Sequence, residues 1–169
     1  MPSAETLLKY HQSQGDTNDC APFTVATVIN AIRDQALLEG AVVAREMNRP
    51  RLRRWGPLPL PVVRRIPNSA TFPWGIADEL GRNNIPCRWR FGAMEADLHQ
   101  ALLEDRIALP IVGGWIPLWA HVKILAAFHP NHGFGFVDAA HPKAEIVWQN
   151  ESAFKRSWRN FGNLLIETM

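Results

Sequence analysis

Residues 14–33, QGDTNDCAPFTVATVINAIR, decide how the rest of the chain is read. A polar run ends at Cys20, and Val25, Val28, Ile29 and Ile32 then recur at i, i+3, i+4 and i+7. That spacing predicts a helix packed on one face. Asp19 is placed to cap its start, and Pro22 is tolerated in the first turn, where its missing N–H has no helical partner. Cys20 therefore falls where free backbone N–H groups and the helix macrodipole favour a thiolate. Packing is the commoner fate of a cysteine. A packed thiol, however, would more naturally lie mid-helix on the apolar stripe than behind QGDTND.

Downstream, a second helical stretch runs from about Gln35 to Met47, with Leu37, Leu38, Ala41 and Val42 apolar. The character then changes between residues 48 and 73, which hold six of the thirteen prolines, six arginines and no acidic residue. Proline at that spacing forbids a regular helix or a central strand. The segment is expected to be a long surface loop with solvated arginines, and a lid over a substrate or partner is the sharper alternative. Helical pattern resumes from Trp74 to Asn84, followed by a strand at 87–91 and a helix at 94–104. The remainder reads as strands at 107–115, 120–128, 133–140, 144–148 and 163–167. A helix-rich front and a strand-rich back indicate α+β rather than alternating α/β.

The 169 residues suit one domain with a core of its own. Eighteen Lys and Arg against sixteen Asp and Glu give a formal charge of +2, too little to mark a nucleic-acid binder. The longest apolar stretches are broken by Pro and Gly, so no membrane span is expected. The N-terminus lacks the basic start and apolar run of a secretory signal, and two cysteines cannot build a disulfide framework. A reduced, cytoplasmic protein is the expectation.

Three further residues join Cys20. Gln14, six positions earlier, can aim its amide back at the sulfur, and with the Cys20 N–H it would form a two-donor oxyanion hole. His121 opens an apolar strand and is the candidate base. Asp138 closes the following strand. The tip HPNHG at 129–133 folds these two strands together, and simple register pairs 128 with 134 and 124 with 138. That leaves Asp138 about three residues from the partner of His121, so the two meet only through a bulge or a late bend. The four residues supply a nucleophile, a base, a group to orient the base and an oxyanion donor.

Other side chains admit a second reading. His129, His132, His141 and Asp138 offer zinc-ligating atoms, yet HPNHG is also a run of turn formers, and no metal or cofactor is expected. Cys87 reads as packing. Trp115 and Trp119 precede His121 and suit either the core rim or a cleft wall.

The chain resembles the papain-like cysteine peptidases related to bacteriocin-leader processing, the C39-like peptidases. The carrying motifs are QGDTNDCAPF, AHVKILAAF followed by GFGFVDAAHP, the stretch MEADLHQALLEDRIALPIVGGW, and the tail SAFKRSWRNFGNLLIE. They cover nearly everything outside the Pro/Arg segment. The resemblance implies a papain-like α+β fold over residues 1–169, with N-terminal helices packed on a C-terminal antiparallel sheet. It also implies cleavage of a peptide or protein substrate by Cys20, His121 and Asp138, with Gln14 on the oxyanion and no metal. Gln12 is a second nearby glutamine, less well spaced. One departure is Ala21, where the family usually has Gly. Acyl transfer to an amine and a silent peptide-binding module are the competing function classes.

Overall fold

The computed structural model describes residues 2–169, apart from the side chains of Arg53 and Trp55, so Met1 lies outside the described residues. Among the described residues the helices are α1 (Ala4–Lys9), α2 (Cys20–Arg33), α3 (Gly40–Met47), α4 (Pro73–Arg82), α5 (Glu95–Leu103) and α6 (Glu151–Arg159). The strands are β1 (Arg51–Trp55), β2 (Leu58–Val62), β3 (Arg65–Ile66), β4 (Ala70–Thr71), β5 (Cys87–Arg90), β6 (Ala108–Trp115), β7 (Leu118–Val122), β8 (Ile124–His129), β9 (Gly133–Val137), β10 (Val147–Gln149) and β11 (Leu165–Thr168). Among the described residues every strand pair is antiparallel. The main sheets have the orders β5-β11-β6-β7 and β10-β9-β8.

Alternating side chains on these strands feed two cores. Leu109, Ile111, Ile124, Val137 and Ile166 join Val25, Val28 and Ile29 of α2, together with Met47 and Ile76. Ala108, Val112, Leu125, Phe134, Phe136 and Leu165 face the other way, onto Leu98 of α5 and Phe154 and Trp158 of α6. The strands are thus covered on both faces, by α1–α4 on one side and by α5 and α6 on the other. Helix α2 is the centre of its layer, with ten consecutive or near-consecutive residues from Ala21 to Ala31 buried. Each large apolar side chain removed from water there contributes about 1.5–3 kcal/mol.

Four expectations change. First, α2 ends at Asp34 in the left-handed region (φ 47°), and the buried Asn30 side chain then holds the loop through Leu37 and Leu38, so α3 starts only at Gly40. Second, the single strand expected at 120–128 is two strands. The Lys123 N–H bonds to Pro110 O, and beyond it the chain leaves β6 to pair with β9. Third, Asp19 makes no capping hydrogen bond, because its carboxylate is taken by the Arg65 guanidinium.

Fourth, the Pro/Arg segment is not simply a loop with solvated arginines. Residues 51–62 form the hairpin β1–β2, which accepts Pro59 and Pro61 because both strands of a two-stranded ribbon are edges. Arg64 and Arg65 are only 4% and 3% exposed. Arg64 Nη1 meets Glu79 Oε2 at 2.7 Å and Arg65 Nη1 meets Asn48 Oδ1 at 2.9 Å. Long-range partners on α3, α4 and at the start of α2 bury these two, while Arg51, at the foot of the hairpin, pairs with Asp78 at 2.6 Å.

Candidate active site

The N-terminus of α2, strand β7 and the residue after β9 converge on one point. Cys20 begins α2 and shares one cleft with Ala21, His121 and Val122. His121 Nε2 lies 2.5 Å from Asp138 Oδ1, which leaves Nδ1 as the ring nitrogen for the thiol. Asp138 Oδ1 also accepts the Ala140 N–H at 2.9 Å. The chain that carries Gln14 is strapped to the same place, with His11 Nε2 3.0 Å from the Asp138 carbonyl and Gln14 N donating to Ala139 O at 2.8 Å.

A bulge brings His121 and Asp138 together. Phe128 pairs with Phe134 as simple register requires, but Ala126 is an extra residue, so Ile124 faces Val137 rather than residue 138. The bulge moves Asp138 one position toward His121, and the change of sheet at Lys123 supplies the bend.

Electrostatics follow from this contact chain. Burial pushes the Cys20 thiol up, but the His121 hydrogen bond and charge, with the two N–H groups, outweigh it and leave the thiol below its ordinary value. Burial alone would pull His121 down, yet Asp138 and Cys20 raise it to about 9. Burial likewise opposes charge on Asp138, and the His121 and Lys123 cations still hold its carboxyl well below the usual range. The arrangement therefore shifts the pair toward thiolate beside imidazolium relative to isolated side chains. Cys87 is the contrast: burial pushes it up to about 11, and its sulfur contacts Ala77 O at 3.4 Å.

Cys20 and His121 open into a cleft of about 230 Å³. Its walls include Ile76, Ile111, Leu118, Trp119 and Phe161, and on the other side Asn18 with Ser69, Ala70 and Thr71 of the Pro/Arg segment. Ala21 lines it too. Trp119 is a wall residue, whereas Trp115 stands behind the wall, stacked on Phe161 at 5.6 Å. Gly113 and Gly114 make room for this: a Cβ on Gly113 would lie 2.2 Å from the Phe161 ring, and one on Gly114 would lie 2.6 Å from Trp119 Nε1.

Gln14 is near but turned aside. Its Nε2 donates to Thr17 O at 2.5 Å, its Oε1 is buried without a partner, and it is not among the residues that line the cleft. Gln12 has a scaffolding part instead, donating to Leu38 O and accepting from Gly40 N, each at 2.8 Å. The histidines weighed as metal ligands are dispersed. His129 and His132 face each other at 4.6 Å on the hairpin tip, while His141 pairs with Glu145. Among the described residues no three His, Cys, Asp or Glu are placed to hold a metal. The sequence reading passed over Asn18, Phe161 and Lys123; the lone Lys within the apolar run AHVKILAAF was the available signal for the last.

Nine chains of solved structures match this fold. One, from Bacillus anthracis and described as a "putative C39-like peptidase", aligns over 100% of this chain and 98% of its own, with a TM-score of 0.71 and 10% sequence identity. The chain is thus similar in fold to a C39-like peptidase structure, along its whole length. No family model matches the sequence, and no curated protein matches it. Among the described residues no helix is long and apolar enough to cross a membrane.

Proposed function

We propose that the chain is a papain-like cysteine peptidase of the C39-like kind, a single catalytic domain over residues 1–169 acting on peptide or protein substrates in the cytoplasm. The observation that carries this reading is that Cys20, at a helix N-terminus, shares a cleft with His121, whose ring is held by Asp138 at 2.5 Å. The fold likeness supports it.

In this mechanism the Cys20 thiolate attacks the carbonyl carbon of the scissile bond, and the carbonyl oxygen becomes an oxyanion. The Cys20 backbone N–H receives that charge, and Gln14 Nε2 joins it once the amide turns from Thr17 O toward the cleft. His121 gives its proton to the departing amine, leaving a thioester on Cys20. His121 then takes a proton from water, whose oxygen attacks the thioester carbon; the C–S bond breaks, and the thiolate and the protonated ring are restored as the acid product leaves. Asp138 orients the ring and keeps it charged until it donates.

The test is turnover of a mixed peptide library read by mass spectrometry. Wild type is expected to cut, with water incorporated at the new carboxyl terminus, and Cys20→Ala and His121→Ala are expected to be inactive. Full turnover by either variant refutes the mechanism. Products joined to an added amine would instead identify acyl transfer.

A further inference from the structure

Each oxygen of the Asp138 carboxylate holds a different cation. Oδ1 meets His121 Nε2 at 2.5 Å, and Oδ2 meets Lys123 Nζ at 3.1 Å. The ammonium is itself held on three sides. Besides Asp138, it lies 3.5 Å from Gln149 Oε1 on β10 and 5.5 Å from the centre of the Phe136 ring on β9. Both members of the ion pair are largely buried, with the Lys123 side chain 14% exposed and that of Asp138 8%. Lys123 is also the residue where the chain passes from β7 to β8, its N–H bonded to Pro110 O.

We propose that Lys123 is a positioning residue for the Cys20–His121–Asp138 set: it clamps the carboxylate by the oxygen His121 does not use and withdraws part of its negative charge from the imidazole. The inference rests on the peptidase reading above. Its chemical sense lies in the proton that His121 must surrender to a leaving amine. A fully charged carboxylate at 2.5 Å makes imidazolium a reluctant donor. A cation on the far oxygen weakens that hold without loosening the geometry, because the carboxylate plane stays fixed at both ends. The other titratable groups facing the pair do not take this part. Cys20 approaches the ring from α2, His11 touches only the Asp138 carbonyl, and Asp19 beside Cys20 is occupied by Arg65.

The experiment is an NMR titration of the His121 ring in wild type, Lys123→Met, Lys123→Gln and Lys123→Arg, alongside the pH profile of Cys20 alkylation by iodoacetamide. Removing the cation leaves the whole Asp138 charge on the ring, so His121 should titrate about one pH unit higher in Lys123→Met and Lys123→Gln. Turnover at neutral pH should fall about tenfold, and Lys123→Arg should restore both. The two neutral variants differ in shape, so loss of folding in one leaves the other to be read. A His121 titration unmoved or lowered in the neutral variants, with Cys20 still alkylated well below its ordinary pKa in wild type, overturns the role of Lys123 alone. An ordinary thiol profile for wild-type Cys20 overturns the peptidase reading and this inference with it.

Discussion

His121 and Asp138 lie 2.5 Å apart although they belong to different sheets, His121 on β7 beside β6 and Asp138 at the end of β9 beside β8. The pair therefore forms only when the Ala126 bulge and the turn at Lys123 are both in place. This placement, with Cys20 at the start of α2, sets the chemistry tested below.

Cys20 should alkylate with iodoacetamide at neutral pH while Cys87, pushed up to about 11, stays unlabelled. In His121→Ala the Cys20 rate at pH 7 should drop by about tenfold or more, since each unit of pKa recovered removes a factor of ten in thiolate. Peptide mapping of the labelled protein reads both thiols at once. Equal labelling of Cys20 and Cys87 in wild type would contradict the paired thiolate.

Turnover should hold a plateau at neutral pH and decline as pH rises through about 9, where His121 loses the proton that the leaving amine requires. The acid limb belongs to Cys20 taking up a proton. Stopped-time assays across pH 4–11 with one peptide would check the sign, and activity still climbing above pH 10 would contradict it.

Asp138 also links stability to acid. Its carboxyl is held below the ordinary 3.8, because His121 and Lys123 outweigh the cost of burial. A depressed folded pKa contributes stability above the unfolded value, and this is lost as pH falls through the folded one. Wild type should melt higher than Asp138→Asn at pH 6, and the gap should close from about pH 4 downward. A gap that is constant across pH would mean that charge has no part in it.

Breaking the Arg65–Asp19 pair should unfold the root of the Pro/Arg segment. Arg65→Met leaves the partly buried Asp19 carboxylate without its cation, at a cost of about 2–3 kcal/mol, and adding Asp19→Asn should recover part of that loss. Urea unfolding of the single and double variants measures this directly.

The tip of the same segment should be dispensable. Arg51 and Val62 face each other across the ribbon, so a short Gly-Ser link can replace 52–61 while keeping the Arg51–Asp78 pair. The melting temperature and the Cys20 alkylation rate should both stay near wild type, and collapse of either would show that β1–β2 supports the cleft.

What could be read beforehand follows physical range. The stripe Val25–Val28–Ile29–Ile32 placed α2, and with it Cys20, because helical periodicity is local. The β7–β8 junction was invisible because residues 118–129 are apolar on both sides of Lys123, and nothing in that pattern marks a change of partner. The bulge falls at Ala126, between Leu125 and Ala127, and an alanine carries little register information. Burial of Arg64 and Arg65 was hidden in their partners, Glu79 and Asp19, which lie 15 and 46 residues away. Gln14 was located by its spacing, but the direction of its amide depends on the turn it makes with Thr17.

The division of the pair between two sheets makes Cys20 a built-in gauge of native register. A slip of β8 against β9, or a partial opening at the Lys123 bend, would separate the imidazole from its carboxylate. Local openings of that kind precede global unfolding in many proteins. Loss of Cys20 reactivity under mild denaturant should then report the first loosening of the β-layer, ahead of any change in helix content.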